Sequence, residues 1–98
     1  MSIEYHLHSR AEKNIAGAFI YYEEESIGLG EAFLETLEGI LENISEFPTM
    51  YPKVFTDVHR ALILPFPYAV FYTYDQGEAI ILNVLSTKRD PTFLLENL

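Results

Sequence analysis

His59 and Arg60 adjoin one another in "DVHRALIL", Lys88 and Arg89 adjoin one another in "LSTKRDP", and three tyrosines punctuate "PYAVFYTY" between them. Metal-independent cleavage of an RNA phosphodiester needs a base, an acid, and cations to meet the charge that develops on phosphorus. These are the residue types from which such a site would be built, with Arg60 and Arg89 as the candidates for a catalytic cation. His59, alone at the start of an apolar run, reads as a packing or surface residue ahead of a base. No glycine-rich phosphate loop supports phosphoryl chemistry, because "GLGE" precedes an acidic helix where such a loop would follow a strand. No nucleophile elbow is present either. No catalytic set is therefore assigned, and the residues point away from an enzyme.

A second candidate lies at the N-terminus. In "SIEYHLHS", Ile3, Tyr5 and Leu7 alternate with Glu4, His6 and His8, the period of a half-buried strand. His6 and His8 then share a face with Glu4, as metal ligands could, but no third ligand is evident nearby. Neither a metal nor a cofactor nor a small-molecule ligand is expected.

The charge balance restricts the partners. Fifteen Asp and Glu face six Lys and Arg, giving a net charge of −9. Residues 1–50 hold ten acids against two bases, and residues 51–98 five against four. Binding to nucleic-acid phosphates depends on clustered cations releasing counterions, so strong direct nucleic-acid binding is not expected. No segment approaches the ~20 apolar residues that span a bilayer, so no membrane role is expected. There is no cysteine and no basic-then-apolar leader, which fits a cytoplasmic protein. The length suits one domain, residues 1–98.

The elements that must position these residues follow from periodicity. "SRAE" is a capping box that starts a helix at Ser9, paired with Glu12. Ala11, Ile15, Ala18, Phe19 and Tyr22 form its apolar stripe, and Gly28 and Gly30 end it near Ser26. In a second helix, from about Leu29 to Phe47, Phe33, Leu34, Leu37, Ile40, Leu41, Ile44 and Phe47 fall within roughly 140° of arc. Glu31, Glu35, Glu38, Glu42 and Glu46 cluster opposite, a solvated acidic face. So short a connection makes the two helices an antiparallel hairpin. "RALIL", "YAVFYTY" and "AIILNVL" read as strands, the last two joined at Asp75-Gln76-Gly77 with Gly supplying a positive φ. Asp90 and Pro91 open a possible final turn. The fold class is α+β in the order β-α-α-β-β-β, a helical hairpin packed on an antiparallel sheet with a short C-terminal tail.

Taken in order, "SRAEKNIAGAFIYYEEESIGLGEAFLETLE", "FPTMYPKV", "VHRALILPFPYAVFY" and "RDP" resemble the RelE/ParE superfamily of toxins from type II toxin–antitoxin systems, specifically the ParE-like, or plasmid-stabilisation, branch. The resemblance spans nearly the whole chain. It implies a toxin neutralised by a cognate antitoxin and acting on DNA gyrase through a protein–protein contact. Two alternatives stay open: a ribosome-dependent mRNA endonuclease, and a non-toxic module that only binds its antitoxin. Nuclease members carry basic residues at the positions of Arg60, Lys88 and Arg89. They usually have an arginine where this chain has Ala69, often a histidine where it has Ser86, and a Tyr or His in the tail that "TFLLENL" lacks. Under the gyrase reading, Arg60, Lys88 and Arg89 are expected to form one target-facing patch, strands 60–64 and 79–85 lying near one another. The antitoxin is expected to wrap the hairpin with a net basic segment, contacting Tyr22, Phe33 and Leu37.

Overall fold

The computed structural model describes residues 2–89 and 96. The order is β1 (Glu4–Leu7), α1 (Ser9–Glu25), α2 (Leu29–Glu46), β2 (Lys53–Phe55), β3 (Val58–Leu62), β4 (Tyr68–Asp75) and β5 (Glu78–Ser86). The α+β class and the hairpin-on-sheet arrangement are those expected. The turn expected at Asp90-Pro91 lies outside the described residues.

Two features of the sheet differ from expectation. Its order is β1-β5-β4-β3-β2, and β1 runs parallel to β5, so the sheet is mixed. The first strand feeds α1, which packs across β5, and β1 closes on the same edge, with the Ile3 N–H donating to the Ser45 carbonyl at 2.8 Å. The second feature is β2, three residues among prolines that pair with β3. A strand that short carries no readable period. The β4–β5 hairpin turns over Gln76 and Gly77, both at positive φ (48° and 82°), as the tight turn matching strand twist requires.

Helix starts also shift. Ser9 is already helical, and the N-cap is His8, whose Nδ1 accepts from the Arg10 N–H at 3.1 Å. The expected Ser9–Glu12 box is thus replaced by a single imidazole cap one residue earlier, and the His8 N–H donates to the Ile81 carbonyl. At the hairpin turn, Gly28 adopts φ 89° and the Glu23 carboxylate accepts from the N–H groups of Gly28 and Gly30, at 2.8 and 2.9 Å. An anion there meets two orphan amides and the positive end of the α2 dipole. Gly30 is needed for a separate reason: a Cβ there would lie 2.8 Å from the Phe19 carbonyl oxygen and 2.8 Å from Glu23 Cγ.

The helices bury Ala11, Ala18, Tyr22, Phe33, Leu37, Leu41 and Ile44 against Ala61, Ile63, Val70, Tyr72, Ala79, Ile81 and Val84 of the sheet region. All five glutamates of the α2 acidic stripe are exposed. A smaller cluster of Ala69, Phe71 and Leu85, covered by Val54, Phe55 and Val58, accounts for central strands that are apolar on both faces. One extra residue in β5, Leu82, bulges the ladder between the Phe71–Asn83 and Tyr72–Ile81 pairs. Just past it the Val84 N–H donates to Asn14 Oδ1 at 3.0 Å, fixing α1 to the strand. Among the described residues, no helix is long and apolar enough to cross a membrane.

Gly30→Ala should destabilise the protein by about 1–3 kcal/mol, because backbone has to move to admit the methyl group. Glu23→Ala should cost about 1–2 kcal/mol through the lost cap. Gly39→Ala, with nothing within 4 Å of its added carbon, should be neutral or stabilising by up to about 1 kcal/mol. Urea unfolding of the three variants checks this; equal effects at Gly30 and Gly39 would refute the close approach of the helices.

Candidate functional site

The end of β5 is held in a tight turn. The Thr87 N–H donates to the Pro67 carbonyl at 2.8 Å, and the Lys88 N–H to the Ser86 hydroxyl at 3.2 Å. Lys88 and Arg89, both exposed, emerge from this turn on either side of Tyr68. Arg89 borders a cleft of about 310 Å³ with Lys13, Asn14, Gly17, Tyr68 and Ser86. Lys88 borders a second cleft with Tyr21, Tyr22, Pro67 and Tyr68. Burial raises the Tyr68 phenol pKa, reinforced by Tyr21 and opposed by the nearby Arg89 charge. Three of the chain's six cations, Lys13, Lys88 and Arg89, therefore gather about one tyrosine on a body of net charge −9.

Arg60 does not belong to this group. β4 lies between β3 and β5, so the expected adjacency of strands 60–64 and 79–85 does not occur. Arg60 registers with Phe71 and, beyond it, Asn83, whereas Ser86 registers with Tyr68 at the strand end. That separates Arg60 from the turn by two strand spacings, about 10 Å, and by roughly 10 Å along the strands. Arg60 instead borders a mostly apolar groove of about 280 Å³ with Ile40, Tyr51, Pro52, Leu62 and Leu64. Lys13 takes its place beside Arg89. Helical spacing puts Lys13 one turn before Gly17, but nothing in the sequence says which strand that turn of helix crosses.

His59 is a packing residue. It is 5% exposed, its ring stacks on Tyr72 at 4.9 Å, and its Nδ1 lies 2.7 Å from the Tyr51 carbonyl oxygen. Ala69 is fully buried in the smaller cluster, so no cation is present where nuclease members have one. Tyr22, Phe33 and Leu37, expected as antitoxin contacts, are 8%, 0% and 3% exposed. As folded they hold the hairpin to the sheet; large apolar side chains that reach solvent on the hairpin include Ile20, Tyr21, Ile27 and, at the end of α2, Phe47. The expected placement of His6 and His8 on one strand face does not hold, because His8 has left the strand to cap α1, and His6 meets Glu78 of β5.

The family model for the ParE toxin of type II toxin–antitoxin systems (parDE) matches residues 5–91. The chain belongs to the ParE toxin family. Among solved structures, this ParE-family chain is similar to one described as the chromosomal ParDE TA system from P. aeruginosa, with a TM-score of 0.63 and 13% identity over 87% of this chain and 96% of that one. At that identity the likeness speaks for the fold. No curated protein matches the sequence.

Tyr72 carries the packing role of its neighbour His59 into a testable form. Its hydroxyl donates to the Pro48 carbonyl at 2.7 Å, and burial, with a contribution from Tyr51, pushes its pKa from 10.0 up to about 12. The fold favours the neutral phenol, so the associated stability is intact below pH 10 and is lost as pH rises from 10.0 towards about 12. Urea unfolding at neutral pH and within that window should show this fall, and it should be smaller in Tyr72→Phe. An equal fall in both proteins would mean that the phenol is not held neutral by burial.

Proposed function

We propose that this protein is a toxin, neutralised by a cognate antitoxin, that inhibits DNA gyrase in the cytoplasm by protein–protein contact and cuts no RNA itself. The observation that carries this reading is the company the cations keep. Lys13, Lys88 and Arg89 have Tyr68, Ser86 and Asn14 beside them, and Asn14 is already bonded to β5. No histidine or carboxylate lines either cleft among the described residues. General acid–base cleavage needs proton-transfer groups poised near neutral pH, and a phenol pushed upward by burial is poorly suited to act as the base. A localised positive patch on an acidic body suits recognition of an acidic protein surface or the DNA that surface holds, where arginine is favoured at the points of tightest contact.

The antitoxin reading rests on different surfaces. α2 presents an acidic stripe, and the groove of Ile40, Tyr51, Pro52, Leu62 and Leu64 is mostly apolar, with Arg60 as a charged wall. An amphipathic segment bearing Lys or Arg fits that pair of surfaces. Its association with the toxin should slow as salt rises, since exposed charges more than about 10 Å apart are largely screened at 0.1 M. Stopped-flow association over a salt series measures this, and a salt-indifferent rate or an acidic docking segment would count against it.

Charge reversal of Lys88 and Arg89 together should abolish growth arrest on expression while the melting temperature stays within a few degrees and antitoxin binding persists. Lys13→Glu should weaken toxicity in the same direction, and Arg60→Glu should weaken it far less. Full toxicity in the double variant would reduce the patch to a solvated strand end. Healthy growth with the unaltered protein would favour a non-toxic antitoxin-binding module.

A further inference from the structure

The parallel pairing of β1 with β5 brings together side chains far apart in the chain. Glu4 and Glu78 are direct partners across the two strands, and His6, on the same face, partners Ile80 beyond the Tyr5–Ala79 pair. The His6 Nε2 lies 3.8 Å from Glu4 Oε2 and 3.8 Å from Glu78 Oε1, and the three donor atoms lie within 4.8 Å of one another. Two carboxylates directly opposite on paired strands repel each other. Here the register forces that arrangement and sets an imidazole nitrogen midway between them.

We propose that Glu4, His6 and Glu78 form a binding site for a divalent transition-metal ion of the Zn²⁺ class, independent of the toxin reading. One imidazole with two carboxylates and no thiolate is a donor set for Zn²⁺ and its first-row neighbours, and a poor one for Mg²⁺ or Ca²⁺, which take oxygen shells. Zn–N and Zn–O bonds of about 2.0–2.2 Å put neighbouring tetrahedral ligands about 3.4 Å apart. The donor atoms therefore have to tighten from 3.8 Å at the two ion pairs and from as much as 4.8 Å between the carboxylates, which exposed side chains manage by rotation. All three are exposed, and Glu78 also borders an open depression with Thr73, Asp75, Gln76 and Ile80. Water can fill the remaining coordination positions there, as in open zinc sites with three protein ligands.

The consequence is structural. β1 has only four residues, all of them exposed, and hangs on one edge of the sheet. A metal held by Glu4 and His6 on that strand and by Glu78 on β5 cross-links the edge strand to its neighbour. It stabilises the fold increasingly as free metal exceeds its dissociation constant, because the unfolded chain does not bring the ligands together.

Isothermal titration of the full chain with Zn²⁺ at neutral pH, with Mg²⁺ as the control cation, tests the site together with thermal unfolding in both solutions. The expected result is saturable binding of a single Zn²⁺, a melting temperature raised by a few degrees in Zn²⁺, and neither effect in Mg²⁺. Glu78→Gln and His6→Ala, both surface substitutions, should weaken binding at least tenfold and remove the thermal shift while circular dichroism stays unchanged. Absence of Zn²⁺ binding overturns the proposal. So does undiminished binding in Glu78→Gln, because the ion would then not be shared between the two strands.

Discussion

The rings of Tyr22 on α1, Phe33 on α2, and Phe66 and Tyr68 at the entry to β4 meet with centroid separations between 5.0 and 5.9 Å, mostly edge to face. Each such pair is worth about 0.5–1.5 kcal/mol beyond the area it buries. Both helices and the sheet meet in this cluster. The cap that Glu23 places on α2 and the close approach at Gly30 set the angle at which the two helices bring their rings to it. Tyr68 is a member of the cluster and also a wall of both cationic clefts, so the packing of the core fixes the geometry of the patch.

That arrangement explains why cations can be sparse and still matter. On a surface otherwise acidic, a local group of three positive side chains carries a field of opposite sign to its surroundings, which orients an approaching partner. Lys88 and Arg89 arrive by a turn whose backbone is tied to Pro67 and Ser86, and Lys13 by a helix that Asn14 holds against β5. The patch is positioned by backbone bonds on rigid elements, at the far end of β5 from the Glu4–His6–Glu78 cluster.

Local periodicity carried most of the architecture. The α2 stripe of Phe33, Leu37, Leu41 and Ile44 is legible because 3.6-residue spacing and burial coincide over about three turns. The β4–β5 hairpin is legible from its turn residues. What periodicity cannot supply is strand order. Arg60 was expected beside Lys88 and Arg89, but β3, β4 and β5 pair consecutively, so the middle strand of that run stands between them. The same blindness hid the contribution of Lys13 and the meeting of Glu78 with His6. Tyr22, Phe33 and Leu37 show a related limit, since an apolar stripe reads alike whether it faces a core or a partner.

The central claim is that the cations of the β5 end act by contact and not by cleaving phosphodiesters. Incubating the purified protein with gyrase and relaxed plasmid, and separately with programmed ribosomes, tests it directly. The account predicts dose-dependent loss of supercoiling or accumulation of cleaved DNA held by gyrase, with intact mRNA on the ribosomes. Codon-phased cuts in the mRNA together with unimpaired supercoiling would contradict it.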